Sequence, residues 1–219
     1  MTYKIHSSKY FGVKPKPVAK EFVGLDKQMQ IGYGLLNNNI EKKAINAWAK
    51  TLEEIKSYME LNNIVSLDKF DKIFNGNENV ENWIQDYEMV LGDVIGQSMG
   101  KDKETYAKQL IELLEFIIQV TKKDDLLNLS SQRFIAEAHY SLRDVEKGEE
   151  AYLNLINTNP NYVWGYVGYS DEYWLNHKED KNYQKAKSIL SQALENENLE
   201  DREIAEERLE DLNREIKKQ

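Results

Sequence analysis

Apolar and polar positions alternate along this chain with a period close to 3.6, in stretches of helical length separated by short polar breaks. The pattern predicts helices near 26–36, 39–61, 66–74, 80–98, 103–122, 126–142, 146–158, 162–176, 182–196 and 200–217. The breaks carry turn and cap residues: "NNN" at 37–39, "NGNEN" at 75–79, "MGKD" at 99–102, "TNPN" at 158–161 and "NEN" at 196–198. No run of alternating β-branched residues bounded by turn signals competes as a strand. The expected fold class is therefore all-α, built from antiparallel helical hairpins joined by short loops.

Residues 1–24 read differently. The prolines of "KPKP" oppose helix at their own positions and at the residues before them, so an extended leader is expected there. The last segment places Ile204, Ala205, Leu209, Leu212 and Ile216 on one stripe with charges elsewhere. That is the pattern of a terminal helix whose outer face meets water.

Residues 129–162, "LSSQRFIAEAHYSLRDVEKGEEAYLNLINTNPNY", form a unit of helix, turn and helix. Ile135, Ala136, His139 and Tyr140 mark its first helix, Gly148 and Tyr152 its second, and Pro160 its close. The next unit starts at Val163, with Tyr166, Tyr169, Ser170 and Tyr173, then Tyr183, Ala186, Leu190 and Ala193. Its register requires about four extra residues around "HKED", an ordinary loop insertion. A weaker unit at 25–58 is suggested by Gly32, Leu35, Ala44 and Trp48.

On these residues the chain resembles tetratricopeptide-repeat proteins. The resemblance implies a right-handed α-solenoid or bundle of hairpins, each leaving an apolar face that a neighbour must bury. It organises the chain as a leader at 1–24, a helical region with diverged repeats at 25–128, two repeats at 129–198 and a capping helix at 199–219. It also implies a concave surface lined by Arg133, Glu137 and Tyr140 in one repeat and by Trp164, Val167, Asp171 and Trp174 in the next. A further likeness concerns "VWGYVGYSDEYW". It is similar to helical segments of bacterial proteins that carry a Cys-rich zinc-binding tail of the SEC-C type, but this chain has no cysteine and so no such tail.

Within residues 159–174, Trp164, Trp174 and four tyrosines crowd together. Tyr166, Tyr169 and Tyr173 belong to hairpin packing. Trp164 and Trp174 are either core residues or hot spots of a binding surface, since Trp, Tyr and Arg are the types enriched there.

Composition narrows the function classes. A formal charge of −9 opposes non-specific nucleic-acid binding and favours basic partners. The absence of cysteine excludes disulfides, thiol nucleophiles and Cys-ligated zinc. "MTYKIHSSKYFGV" lacks the apolar stretch of a signal peptide, and the longest apolar run, "LIELLEFIIQV", is short of a membrane span, so a cytoplasmic location is expected. His6, His139 and His177 lack metal-pair spacing, "DVIGQSMG" is not a nucleophile elbow, and "GVKPKP" is not a phosphate loop.

No catalytic residue, metal or cofactor is expected. The first expectation is a non-enzymatic module that binds a protein or peptide, with neither nucleic acid nor membrane as partner. Three alternatives accompany it: a peptide-sensing regulator, an enzyme with its site at 60–128 around Trp83, Asp86, Tyr87 and Glu88, and a homodimerising protein.

Overall fold

A computed structural model describes residues 18–176 and 181–218. Among them the chain is all-helical: α1 (Val23–Leu36), α2 (Glu41–Leu61), α3 (Leu67–Phe74), α4 (Val80–Gln97), α5 (Gly100–Val120), α6 (Leu126–Ser141), α7 (Val145–Thr158), α8 (Val163–Trp174), α9 (Tyr183–Glu195) and α10 (Arg202–Ile216). The polar breaks end the helices as their chemistry requires. Asn79, Asp125, Asp144 and Asn182 each accept a hydrogen bond from a backbone N–H of the helix they open. Asn75 closes α3 in the left-handed conformation, φ 46°. None of the described helices is long and apolar enough to cross a membrane.

Residues 1–17, including His6 and the prolines of "KPKP", and the loop residue His177 lie outside the described residues. The expected leader reaches less far than residue 24. A 3₁₀ turn at Lys20–Phe22 already precedes α1, and Phe22 is buried edge-on against Tyr58 (4.9 Å between ring centroids), Phe74 (5.5 Å) and Phe70 (5.8 Å). An aromatic side chain held by three rings belongs to a core and draws its backbone in with it.

The chain divides into two compact units, the first through Leu113 and the second from Leu114, a division that falls inside α5. The end of α5 is tied to the second unit: Asn128 Nδ2 donates to Ile118 O and to Thr121 Oγ1, both at 3.1 Å.

In the first unit α1 and α2 form a hairpin, and α4 packs on α2 and α3. The missing side chain of Gly32 admits the Trp48 indole, whose Nε1 donates to Met29 O at 3.0 Å. Trp48 then meets Trp83 and Tyr87 edge-on, at 6.1 and 5.7 Å. Asp26 is buried and accepts from Asn77 N (2.7 Å) and Asn77 Nδ2 (2.6 Å), which satisfies the carboxylate and pins the loop before α4.

In the second unit α6 pairs with α7 and α8 with α9. α8 leans on both α6 and α7, and α10 packs on α9 and α8. Gly148 gives the Tyr140 ring room against α7, and Tyr152 stacks on Tyr169 at 5.1 Å. The Tyr140 and Tyr173 hydroxyls share a hydrogen bond of 3.0 Å, Tyr173 donates to Glu149, and Lys185 Nζ lies 2.5 Å from the same carboxylate. This chain of contacts joins α6, α7, α8 and α9.

Candidate binding surface

The surface of interest forms where α8 approaches α6. Gly168 makes that approach possible, since a Cβ there would stand 2.8 Å from Tyr152 Oη and 3.3 Å from Arg133 Cδ. The Arg133 stem therefore crosses α8 at Gly168. Trp164 sits one helical turn before that crossing and Asp171 one turn after it, on the same side of α8. Arg133 Nη1 lies 3.5 Å from Glu137 Oε1, and its guanidinium stands 4.4 Å from the Phe134 ring centroid and 5.7 Å from that of Trp164. On the other flank Asp171 Oδ1 faces Arg208 Nε of α10 at 3.5 Å.

Both ion pairs are long for charge-assisted hydrogen bonds. Several polar atoms nearby are also incompletely served. Arg133 Nε, Tyr152 Oη, Asp171 Oδ1 and Trp174 Nε1 are buried and make no hydrogen bond of good geometry, four of the seven such side-chain atoms among the described residues, although the Tyr152 hydroxyl faces Glu137 and the Trp174 indole faces Asp171. Native interiors leave few such groups, and here four share the neighbourhood of α6, α7 and α8.

The electrostatics follow from this packing. Burial pushes the Asp171 carboxyl up to about 6, against the pull of Arg208, the Trp174 indole and Arg133. Burial pushes Glu172 up to about 7, with Asn176 Nδ2 donating to it at 3.0 Å and Glu137 and Asp171 adding repulsion. Glu137 is raised by burial too, with Arg133 pulling the other way and Asp171 adding to the rise. Three carboxylates thus share a region in which two arginines do not offset their desolvation.

The residues expected to line a concave surface divide. Trp164 is 36% exposed, and Arg133, Glu137 and Asp171 are half-buried around it. Tyr140, Val167 and Trp174 are not on an open surface. Tyr140 is buried in the hydroxyl chain between hairpins, and Val167 and Trp174 are buried in one apolar cluster with Ala205 and Leu212 of α10. α10 covers the positions that an open repeat end would leave bare. The sequence reading missed Gly168, Glu172 and Arg208. Gly168 carried a signal, a glycine mid-helix beside aromatics, whereas Arg208 is one of many charges on α10 with nothing local to single it out.

Elsewhere the described residues offer less. Trp83 and Tyr87 are core residues of the first unit, and Asp86 accepts from the Tyr33 hydroxyl at 2.7 Å. His139 is half-buried, which lowers its pKa, and it borders an open depression beside α7 together with Lys147 and Glu150. No group of three or more His, Cys, Asp or Glu among the described residues is arranged to hold a metal ion. No protein-family model and no curated protein sequence matches the chain, so the resemblance to tetratricopeptide repeats rests on its own residues.

Proposed function

We propose that this protein is a non-enzymatic binding module whose second unit is a short tetratricopeptide-like array, receiving a peptide segment of a partner protein across α6 and α8. The observation that carries the reading is Trp164. A large aromatic side chain held 36% exposed, with the Arg133 guanidinium 5.7 Å from its ring, is the make-up of an interface hot spot. The hairpins and α10 hold the backbone beneath it, so the surface is preformed and a ligand loses less entropy there than on a loop.

The test is selection of a random displayed peptide library on the immobilised whole chain, followed by affinity measurement with Trp164→Ala. Trp164 is the most exposed of the surface residues, so its truncation leaves the core intact, which circular dichroism checks. Enriched peptides are expected to bind the variant about tenfold more weakly or worse. Peptides that bind both proteins equally, or a selection that enriches nothing, refute the reading.

A further inference from the structure

We infer that the peptide received here is basic, with Glu137 and Asp171 acting as counter-charges to one Lys or Arg side chain of the ligand. The inference rests on the peptide-binding reading above and adds the charge of the ligand to it.

Three observations on the same carboxylates point the same way. The first is charge. Glu137 enters from α6 and Asp171 and Glu172 from α8, against Arg133 and Arg208, while Asp211 of α10, which adds to the negative field at Asp171, is itself paired with Arg214. An acidic segment brought here meets repulsion, and a cation supplies what is lacking.

The second is geometry. Several carboxylates of the chain hold their cations closely, as in Lys42–Asp102 at 2.7 Å and Lys185–Glu149 at 2.5 Å, although Glu215 holds Lys181 at 3.6 Å and Lys218 at 3.5 Å. Glu137 and Asp171 hold theirs at 3.5 Å. An ion pair that loose leaves carboxylate lone pairs for a further donor.

The third is the setting of the carboxylates. Tyr152 is fully buried with its hydroxyl facing Glu137, while Trp174, 6% exposed, turns its indole N–H toward Asp171. Fixed dipoles beneath two loosely paired carboxylates orient them without saturating them. Arg133 meanwhile marks where a ligand cation rests: it lies 3.5 Å from a carboxylate and 5.7 Å from the Trp164 ring centroid, a position suited to ion pairing and cation–π contact together. A ligand Lys or Arg competes with it there.

The experiment titrates the whole chain into labelled synthetic peptides of alternating Ser–Lys, Ser–Glu and Ser–Leu, read by fluorescence polarisation. The Ser–Lys peptide is expected to bind, about tenfold more weakly to Asp171→Asn and no more weakly to Arg133→Gln. The variant Asp68→Asn, on α3 of the first unit, lowers the negative charge equally and is expected to stay within about twofold, because Asp68 is exposed, pairs with Lys72 and contributes no group to the site. Since burial raises Asp171 to about 6 and Glu172 to about 7, with Glu137, Tyr152, Arg133, Arg208 and Asp211 around them, binding of a cation is expected to tighten as pH rises from about 5 to about 8. If Asp171→Asn loses its fold, Glu137→Gln takes its place with the same expectation.

Equal weakening by Asp68→Asn shows bulk attraction to an acidic protein and overturns the inference, as does Ser–Lys binding indifferent to Asp171. If Ser–Glu or Ser–Leu binds instead and Trp164→Ala abolishes it, the peptide surface stands and its preference for a basic segment falls. If no peptide binds, including those from the library, both fall.

Discussion

Glu172 is 4% exposed on α8, with Asn176 as its hydrogen-bonding neighbour and a carboxyl raised by burial to about 7. In the unfolded chain a Glu titrates near 4.3, so the folded state holds this proton more tightly. The sign follows: stability is greatest below about pH 4.5 for this group, falls as pH rises toward 7 and stays reduced above it. Glu172→Gln keeps the shape and the capacity to hydrogen-bond but cannot ionise. It is expected to raise stability by on the order of 2 kcal/mol at about pH 8 and to change it little at about pH 4.5. Urea unfolding midpoints at the two pH values check this, and an equal effect at both rejects the charge as cause. No pattern in the sequence marks Glu172: it is one carboxylate among 38 acidic residues, and its burial depends on which way α8 faces α6.

At the scale of helices, glycines separate into two kinds. Gly32 on α1 lies under the Trp48 indole, where a Cβ would fall 1.9 Å from Nε1. Gly92 on α4 has nothing within 4 Å of the same position. Gly32→Ala is therefore expected to cost about 3 kcal/mol, since the indole is fully buried and bonded to Met29 O and has no room to retreat. Gly92→Ala is expected to stabilise by about 0.5–1 kcal/mol through helix propensity alone. Thermal unfolding of both variants decides, and matching shifts refute the distinction.

The helices themselves were legible because each rests on local information, namely a period of apolar residues and a polar cap. α2, read as 39–61, runs Glu41–Leu61, and α9, read as 182–196, runs Tyr183–Glu195. Even Gly32 and Trp48 were visible as a small residue and a large one in register. Less legible was which face of each helix another element covers. Tyr140, Val167 and Trp174 occupy the same helical stripes as Arg133, Glu137 and Asp171, and spacing cannot separate them. Only the docking of α10 and the hydroxyl chain from Tyr140 through Tyr173 to Glu149 turn them inward. The division inside α5 escaped for a similar reason, since no break in the periodic pattern accompanies it.

For the molecule as a whole, the placement of its indoles has an experimental consequence. Of the four tryptophans, Trp48 and Trp83 are fully buried, Trp174 is nearly so, and Trp164 alone opens to solvent, on the proposed binding face. Emission from the buried three is shielded from a dissolved quencher, while that from Trp164 is not. Iodide or acrylamide is therefore expected to extinguish one component of the fluorescence, and Trp164→Phe to remove that component. Any ligand that settles against α6 and α8 is expected to protect it and shift the emission toward the blue. The protein carries its own optical probe at the place where a partner is proposed to land, so occupancy can be followed in unlabelled material before the partner has been identified.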